Sequence, residues 1–266
     1  MLNGTVVSVK YFDCGSCKNF MPFVFRGYRA HIRQFPSGVF LMQHSDGRRI
    51  LFDTGYNRQL RKTGLKGLVY RLFNPTRISA DEEIASQLTH DGVNPKTIDY
   101  VILSHLHPDH IGGISSFTGS TFIISEPMQQ ALRHPRLSDL LFLQFIPDWF
   151  SSKTSVLSES DFKASPNFPF KTHDLLQDGS ILVCQLPGHT RGHNGVLING
   201  TILLAGDAAW GTDLLPITNL MSPLARRVQD DFDTYIKTTA SLQKLQASGI
   251  SIYCSHDVID RKELVR

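Results

Sequence analysis

The run Ser104-His105-Leu106-His107-Pro108-Asp109-His110 constrains this chain more than any other feature. It sets three imidazoles and a carboxylate directly after an apolar, β-type stretch, Asp99 to Ser104. Imidazole and carboxylate together suit zinc and its first-row neighbours. At the end of a strand, residues two apart point to the same side, so His105 and His107 can both reach one ion. The chain then turns, and Asp109 and His110 can face a second ion nearby. Gly112-Gly113 lets that turn pass close to the metals without a side chain in the way.

Three further stretches repeat the arrangement. His189, in Pro187-Gly188-His189-Thr190, follows a predicted strand over 181–186; Asp207 follows one over 201–205 through Gly206; His256 follows one over 250–254 through Ser255. Each candidate ligand thus lies just beyond the C-terminal end of an apolar strand, and in a layered sheet structure such ends can converge on one edge. The alternative is that seven ionisable residues gather there for no common purpose, whereas titratable groups clustered in a cleft tend to mark function. His31, His44, His90, His134 and His173 stand alone and read as solvated surface histidines.

The rest of the chain supplies strands more often than helices. Thr5 to Tyr11, Val39 to Met42 (after a Pro-Ser-Gly turn), Arg49 to Phe52, Thr121 to Ser125 and Gly195 to Ile198 read as strands. Ser79-Ala80-Asp81-Glu82 has capping-box spacing and opens a short helix that stops near Asp91-Gly92. Glu126 to Arg133 reads as a helix. A longer one starts at Ser222-Pro223, with apolar positions at helical spacing through Leu245, and ends at Gly249. Stretch 57–77, with Arg58, Arg61, Lys62, Lys66 and Arg71, reads as an irregular, solvated basic loop; the alternative is a contact for an anionic substrate. From 134 to 170 prolines interrupt an aromatic segment. Leu140, Leu141 and Leu143 suggest a helix turned into a core there, with Phe142, Phe145, Trp149 and Phe150 as an acyl-chain pocket or a dimer contact as the alternatives. A sheet sandwich covered by helices fits this order better than an alternating parallel βαβ array.

Bulk properties exclude several classes. The chain has 266 residues, 41% hydrophobic and 19% charged, as a globular core requires. Its 27 basic against 24 acidic residues, with no block of like charge standing out, do not point to nucleic acid. No run approaches the ~18 apolar residues of a bilayer span, and Met1-Leu2-Asn3-Gly4-Thr5 opens without the features of a secretory signal; a cytoplasmic protein with no membrane partner is expected. Four cysteines are too scattered for a disulfide framework. Cys14-Gly15-Ser16-Cys17 lacks the second pair of a zinc ribbon and reads as a turn bearing two thiols.

Taken together, the H-x-H-x-D-H run, Pro187 to His193, Gly206-Asp207, Ser255-His256-Asp257 and the strand ending Leu51-Phe52-Asp53-Thr54-Gly55 resemble the metallo-β-lactamase superfamily. The resemblance spans about Ile50 to Asp257. It implies a single α/β domain over 1–266, a four-layer αββα sandwich with loop insertions near 57–77 and 134–170, and two metals at one edge. Position by position it implies that His105, His107 and His189 bind the first ion, that Asp109, His110 and His256 bind the second, and that Asp207 bridges them. Asp53 would accept a hydrogen bond from a ligand histidine, and His193 would be packing or a substrate-side contact. The ions would be two zincs, with manganese, iron or cobalt as substitutes.

The reaction so implied is hydrolysis of a small-molecule lactone or ester through a metal-bridging hydroxide, with Asp109, Asp207 and Trp210 as catalytic positions and a homodimer as one assembly to consider. A thioester or phosphodiester hydrolase, or an iron-dependent redox member, is the alternative. Size and ligand set look most like the N-acyl homoserine lactonase branch, which generally carries a tyrosine three residues after the bridging aspartate. Trp210 stands there instead; its indole N–H donates but cannot accept. It reads equally as core packing or as a substrate contact.

Overall fold

A computed structural model describes residues 4–260 and 263–265; the opening Met1-Leu2-Asn3, part of the signal-peptide reading, lies outside them. The strands are β1 (Val6–Phe20), β2 (Ile32–His44), β3 (Arg49–Phe52), β4 (Thr76–Arg77), β5 (Tyr100–Ile102), β6 (Thr121–Ser125) and β7 (Thr154–Leu157). They continue with β8 (Lys163–Ser165), β9 (Phe168–Asp174), β10 (Ile181–Gln185), β11 (Asn194–Ile198), β12 (Ile202–Gly206), β13 (Ser251–Cys254) and β14 (Glu263–Val265). One sheet runs β14-β1-β2-β3-β5-β6-β7, with β4 on β1, and the other runs β13-β12-β11-β10-β9-β8.

The period-2 rule explains the layering. On β2, Phe40 and Met42 face the second sheet and pack with Val183, Val196 and Leu204. Val39 and Leu41, between them in sequence, face the other way and join Ile84, Leu88 and Met128 of two covering helices, Ile84–His90 and Glu126–Arg133. The second sheet does the same: Leu197 and Leu203 turn outward to Leu242 and Leu245 of the helix Phe232–Ala247. Helices therefore cover both outer faces of two stacked sheets, the αββα arrangement that the resemblance implies.

Several local expectations are corrected. Cys14-Gly15-Ser16-Cys17 is not a turn but a bulge inside β1, where the register with β2 shifts between Asp13 and Ser16; Gly15 takes a φ of +85° there, and both thiols are buried. Pro36-Ser37-Gly38 runs through β2 instead of preceding it. Stretch 57–77 is mostly helical, with a 3-10 turn Arg58–Lys62 and an α-helix Gly64–Phe73. From Thr154 onward the segment 134–170 holds β7, β8 and the start of β9 with one 3-10 turn between, and before Thr154 it holds short 3-10 turns, not a helix. Leu141, Phe142, Phe145 and Phe150 nonetheless lie in the core beneath the first sheet's helices, so they wall no pocket. The helix begun at Ser222 closes after Arg226, and a new one starts at Phe232, capped by Asp231. His44 is not solvated: it is buried, with its ring nitrogens 2.8 Å from Asp46 and 3.1 Å from Asp178.

Candidate metal centre

β3, β5 and β6 are parallel neighbours, as are β12 and β13. The ends that carry Asp53, Ser104–His110, Asp207 and His256 therefore point the same way and meet across the sandwich. His189 joins them from the loop that links β10 to β11. The turn after β3 is locked to the histidine loop by its backbone: Thr54 N–H donates to His110 O at 2.8 Å, and Gly112 N–H donates to Gly55 O at 2.9 Å. A Cβ at Gly112 would lie 2.6 Å from Gly55 O, so only glycine permits this approach. Asp53 itself sits at φ 65°, a left-handed conformation that costs a non-glycine residue energy and is kept where the surroundings impose it.

All seven predicted ligands are brought together and are buried. His105, His107, His189 and Asp207 form one group of ligand atoms, and Asp109, His110 and His256 form another. Ligand-atom spacing alone places Asp207 with the first group. Its carboxylate nevertheless reaches both: Oδ2 is 3.4 Å from His189 Nε2 and 3.2 Å from His256 Nε2, and Oδ1 is 3.5 Å from His110 Nε2. A carboxylate offers two oxygens, so Asp207 can belong to both groups.

Hydrogen bonds on the far side of each ring decide which nitrogen is free. His110 Nδ1–H donates to Asp53 Oδ2 at 2.7 Å, and His189 Nδ1–H donates to Gln229 Oε1 at 2.8 Å. His256 Nδ1–H donates to Pro36 O at 2.6 Å. The Ser104 hydroxyl donates to Asp53 at 2.7 Å and so can accept from His105 Nδ1 at 3.0 Å. Four rings thus keep Nε2 toward the common centre. His107 differs: its Nδ1 faces His189 Nε2 at 3.2 Å. Nε2 of His105 and His110 and Oδ1 of Asp207 are buried without a hydrogen-bond partner. Buried polar atoms are seldom left unsatisfied, and lone pairs converging from imidazoles and carboxylates are what a first-row divalent ion needs, so the donor set fits such ions.

The electrostatics divide the ligands. Burial first, and repulsion from neighbouring histidines second, hold His105 and His107 well below the usual imidazole range, so both are neutral donors. Burial opposes charge on His110 too, but Asp53, Asp207 and Asp109 outweigh it and raise it well above that range. His256 is pushed up to about 9, with Asp207 overcoming burial.

One residue that the sequence reading missed, and three that it named, complete the centre. Gln229 lies in the short link between two helices and has no motif around it. Its amide oxygen holds His189, and its amide nitrogen donates to Ala225 O at 3.3 Å. His193 uses both nitrogens internally, Nδ1–H donating to Leu186 O at 3.1 Å and Nε2 accepting from Asp207 N–H at 3.0 Å. It fixes the backbone of Asp207 and does not face substrate. Asp257 accepts from Cys254 N–H and Thr212 N–H, both at 2.7 Å, and pins the turn that carries His256. Trp210 is half-buried, its ring edge-on to His189 with centroids 6.5 Å apart, and it packs against the buried cluster that holds Leu214, Met221 and Tyr235. The packing reading holds for the side against that cluster, and the remainder of the ring stays accessible beside His189.

Comparison with known proteins agrees with this fold. The family model described as metallo-beta-lactamase superfamily matches residues 32–256. N-acyl homoserine lactonase AttM of Azorhizobium caulinodans is 27% identical over 240 residues, which cover 84% of this chain and 82% of that protein. A probable metallo-hydrolase of Mycobacterium tuberculosis is also 27% identical, over 82% of this chain and 70% of its own. An N-acyl homoserine lactone hydrolase, solved with N-hexanoyl-L-homoserine at its catalytic metal centre, superposes with a TM-score of 0.75 at 20% identity, covering 96% of this chain and 94% of that one. The dizinc quorum-quenching lactonase AidC gives 0.67 at 18% identity, over 98% and 93%. At those identities the structural likeness speaks to the fold.

Proposed function

Because the chain belongs to the metallo-beta-lactamase superfamily of hydrolases, we propose that its seven buried ligands hold two ions, zinc by preference, and that it opens lactones or esters. The observation that carries the reading is the Asp207 carboxylate, which lies within 3.5 Å of His189, His110 and His256 and so belongs to both ligand groups. His105, His107 and His189 would hold one ion and Asp109, His110 and His256 the other. When bound, such a pair lowers the pKa of a shared water from 15.7 toward about 7 and polarises the carbonyl under attack.

The chain's own residues do the positioning. Asp53, Gln229, Ser104 and the Pro36 carbonyl each take the far-side proton of a ligand histidine, which keeps the inward nitrogen available as a donor. His193 holds the Asp207 backbone and so fixes the point from which the shared carboxylate reaches both groups. Trp210 borders the site and can offer its indole N–H to a substrate oxygen, but it cannot relay a proton. The acyl homoserine lactonase relatives make N-acyl homoserine lactones the first substrates to try. The tryptophan predicts slow turnover of them.

The test is a panel of acyl homoserine lactones, plain lactones, esters, thioesters and phosphodiesters, run on zinc-, manganese- and cobalt-loaded protein. Lactone or ester opening, measurable but slow on acyl homoserine lactones, is expected. Efficient thioester or phosphodiester cleavage with no lactone or ester turnover would overturn the substrate class.

A further inference from the structure

The helix Gly64–Phe73 is amphipathic the wrong way round for a core element. Its sole buried residue is Gly67, and Tyr70 also turns inward, to the core cluster around Phe142. Leu65, Leu68, Val69, Leu72 and Phe73 are all exposed, from 44% for Val69 to 76% for Leu65. At 100° per residue these five fall within an arc of about 140°, so a whole apolar stripe faces solvent. The stripe continues onto β1. Asn74 accepts a hydrogen bond from Asn19 at 3.4 Å, and the adjacent Phe20 stacks edge-on with Phe23 at 5.3 Å and pairs in register with Ile32. Phe23 and Ile32 are 69% and 67% exposed. Contiguous apolar surface of this kind marks a contact site.

Charge says what the contact is. The near-neutral total hides a segregation: residues 14–45 and 54–80, which carry this surface, hold ten basic residues and no acidic one, while the rest of the chain has 24 acidic against 17 basic. Arg33 and Arg58 are paired to Asp213 and Glu83. Lys18, Arg26, Lys62 and Arg77 are exposed around the stripe. An apolar stripe flanked by lysine and arginine is the pattern of a helix that lies in a bilayer interface, its apolar side chains among the acyl chains and its cations at anionic headgroups. A second copy would set two cationic faces against each other. Nucleic acid would give the exposed leucines nothing to bury against.

We infer that this face docks on an anionic lipid surface, with the helix Gly64–Phe73 lying in the interface. The sequence-based expectation of no membrane partner concerned a span, and no described helix is long and apolar enough to cross a membrane; an interfacial contact needs no span. The same helix borders the metal centre, since Tyr70 Oη meets Tyr56 Oη at 2.9 Å and both hydroxyls feel Asp109. The inference does not depend on which bond the site cleaves.

The test is co-sedimentation of the zinc-loaded protein with vesicles of pure phosphatidylcholine or of phosphatidylcholine and phosphatidylglycerol at 7:3, each in low and high salt. Binding to the anionic vesicles at least about tenfold stronger than to the neutral ones, weakened by salt, is expected. Leu72→Asp/Phe73→Asp should lose it, with circular dichroism and metal content unchanged. Equal binding to both vesicle types, or a variant that sediments like the wild type, would overturn the inference. So would a wild-type dimer that ignores vesicles and dissociates on the same substitutions, which would make the face an interface between copies.

Discussion

The ligand ring and the rim around it are built on opposite terms. In the ring every side chain is buried and each histidine except His107 has its outer nitrogen committed to a named partner. In the rim, Trp210 is partly open, and the helix Gly64–Phe73 turns its apolar stripe to solvent. A ring so held can only lose function when altered. A rim whose contacts lie outside the chain can be retuned without disturbing the metals. The contrast separates two kinds of variant: those that change metal content, and those that change what is bound while leaving the metals alone.

The largest effect is expected at Asp207. Asp207→Asn should lose at least one ion per chain by elemental analysis and leave hydrolysis near background, because it removes charge from both ligand groups at once. Next comes Asp53→Ala, which frees His110 to rotate and should cost about 10–100-fold in metal affinity or activity with the fold intact by circular dichroism. Wild-type behaviour would reduce Asp53 to a turn residue. Gln229→Leu removes the acceptor of His189 alone, and about tenfold weaker metal binding is expected. The smallest effect, and the one that crosses to the rim, is Trp210→Tyr. A hydrogen bond to a charged group is worth about 1.5–3 kcal/mol at most, so a gain of about tenfold on acyl homoserine lactones is expected, with metal content unchanged. Lost metal in that variant would mean that ring and rim are not separable at this position.

How far each region could be read from sequence follows the same division. The candidate ligands were legible because strand ends are marked by apolar runs, and His105, Asp207 and His256 each lie just beyond one. Asp53 was legible through the family resemblance of the strand ending Leu51-Phe52-Asp53-Thr54-Gly55. Gln229 was not, because its partner is 40 residues away and the link that carries it has no pattern of its own. His193 was seen, but its role depends on a bond to Asp207 that only the folding of two neighbouring strands creates. The segment 57–77 misled: its apolar residues recur at helical spacing, but six basic residues and two glycines disguise them as loop. In 134–153 the aromatic residues are core, yet no period marks them, because 3-10 turns and prolines replace the regular helix that would have spaced them. Periodic elements carry their own signature; elements held by tertiary contacts do not.

The central claim is that two ions share one carboxylate. Counting metal per chain in protein purified without added metal tests it most directly, since it needs no knowledge of the substrate. Close to two transition-metal ions per wild-type chain, falling to one or none in Asp207→Asn, is the predicted result. A wild-type chain that holds at most one ion when zinc is supplied in excess, or a metal-free chain that is fully active, would contradict it.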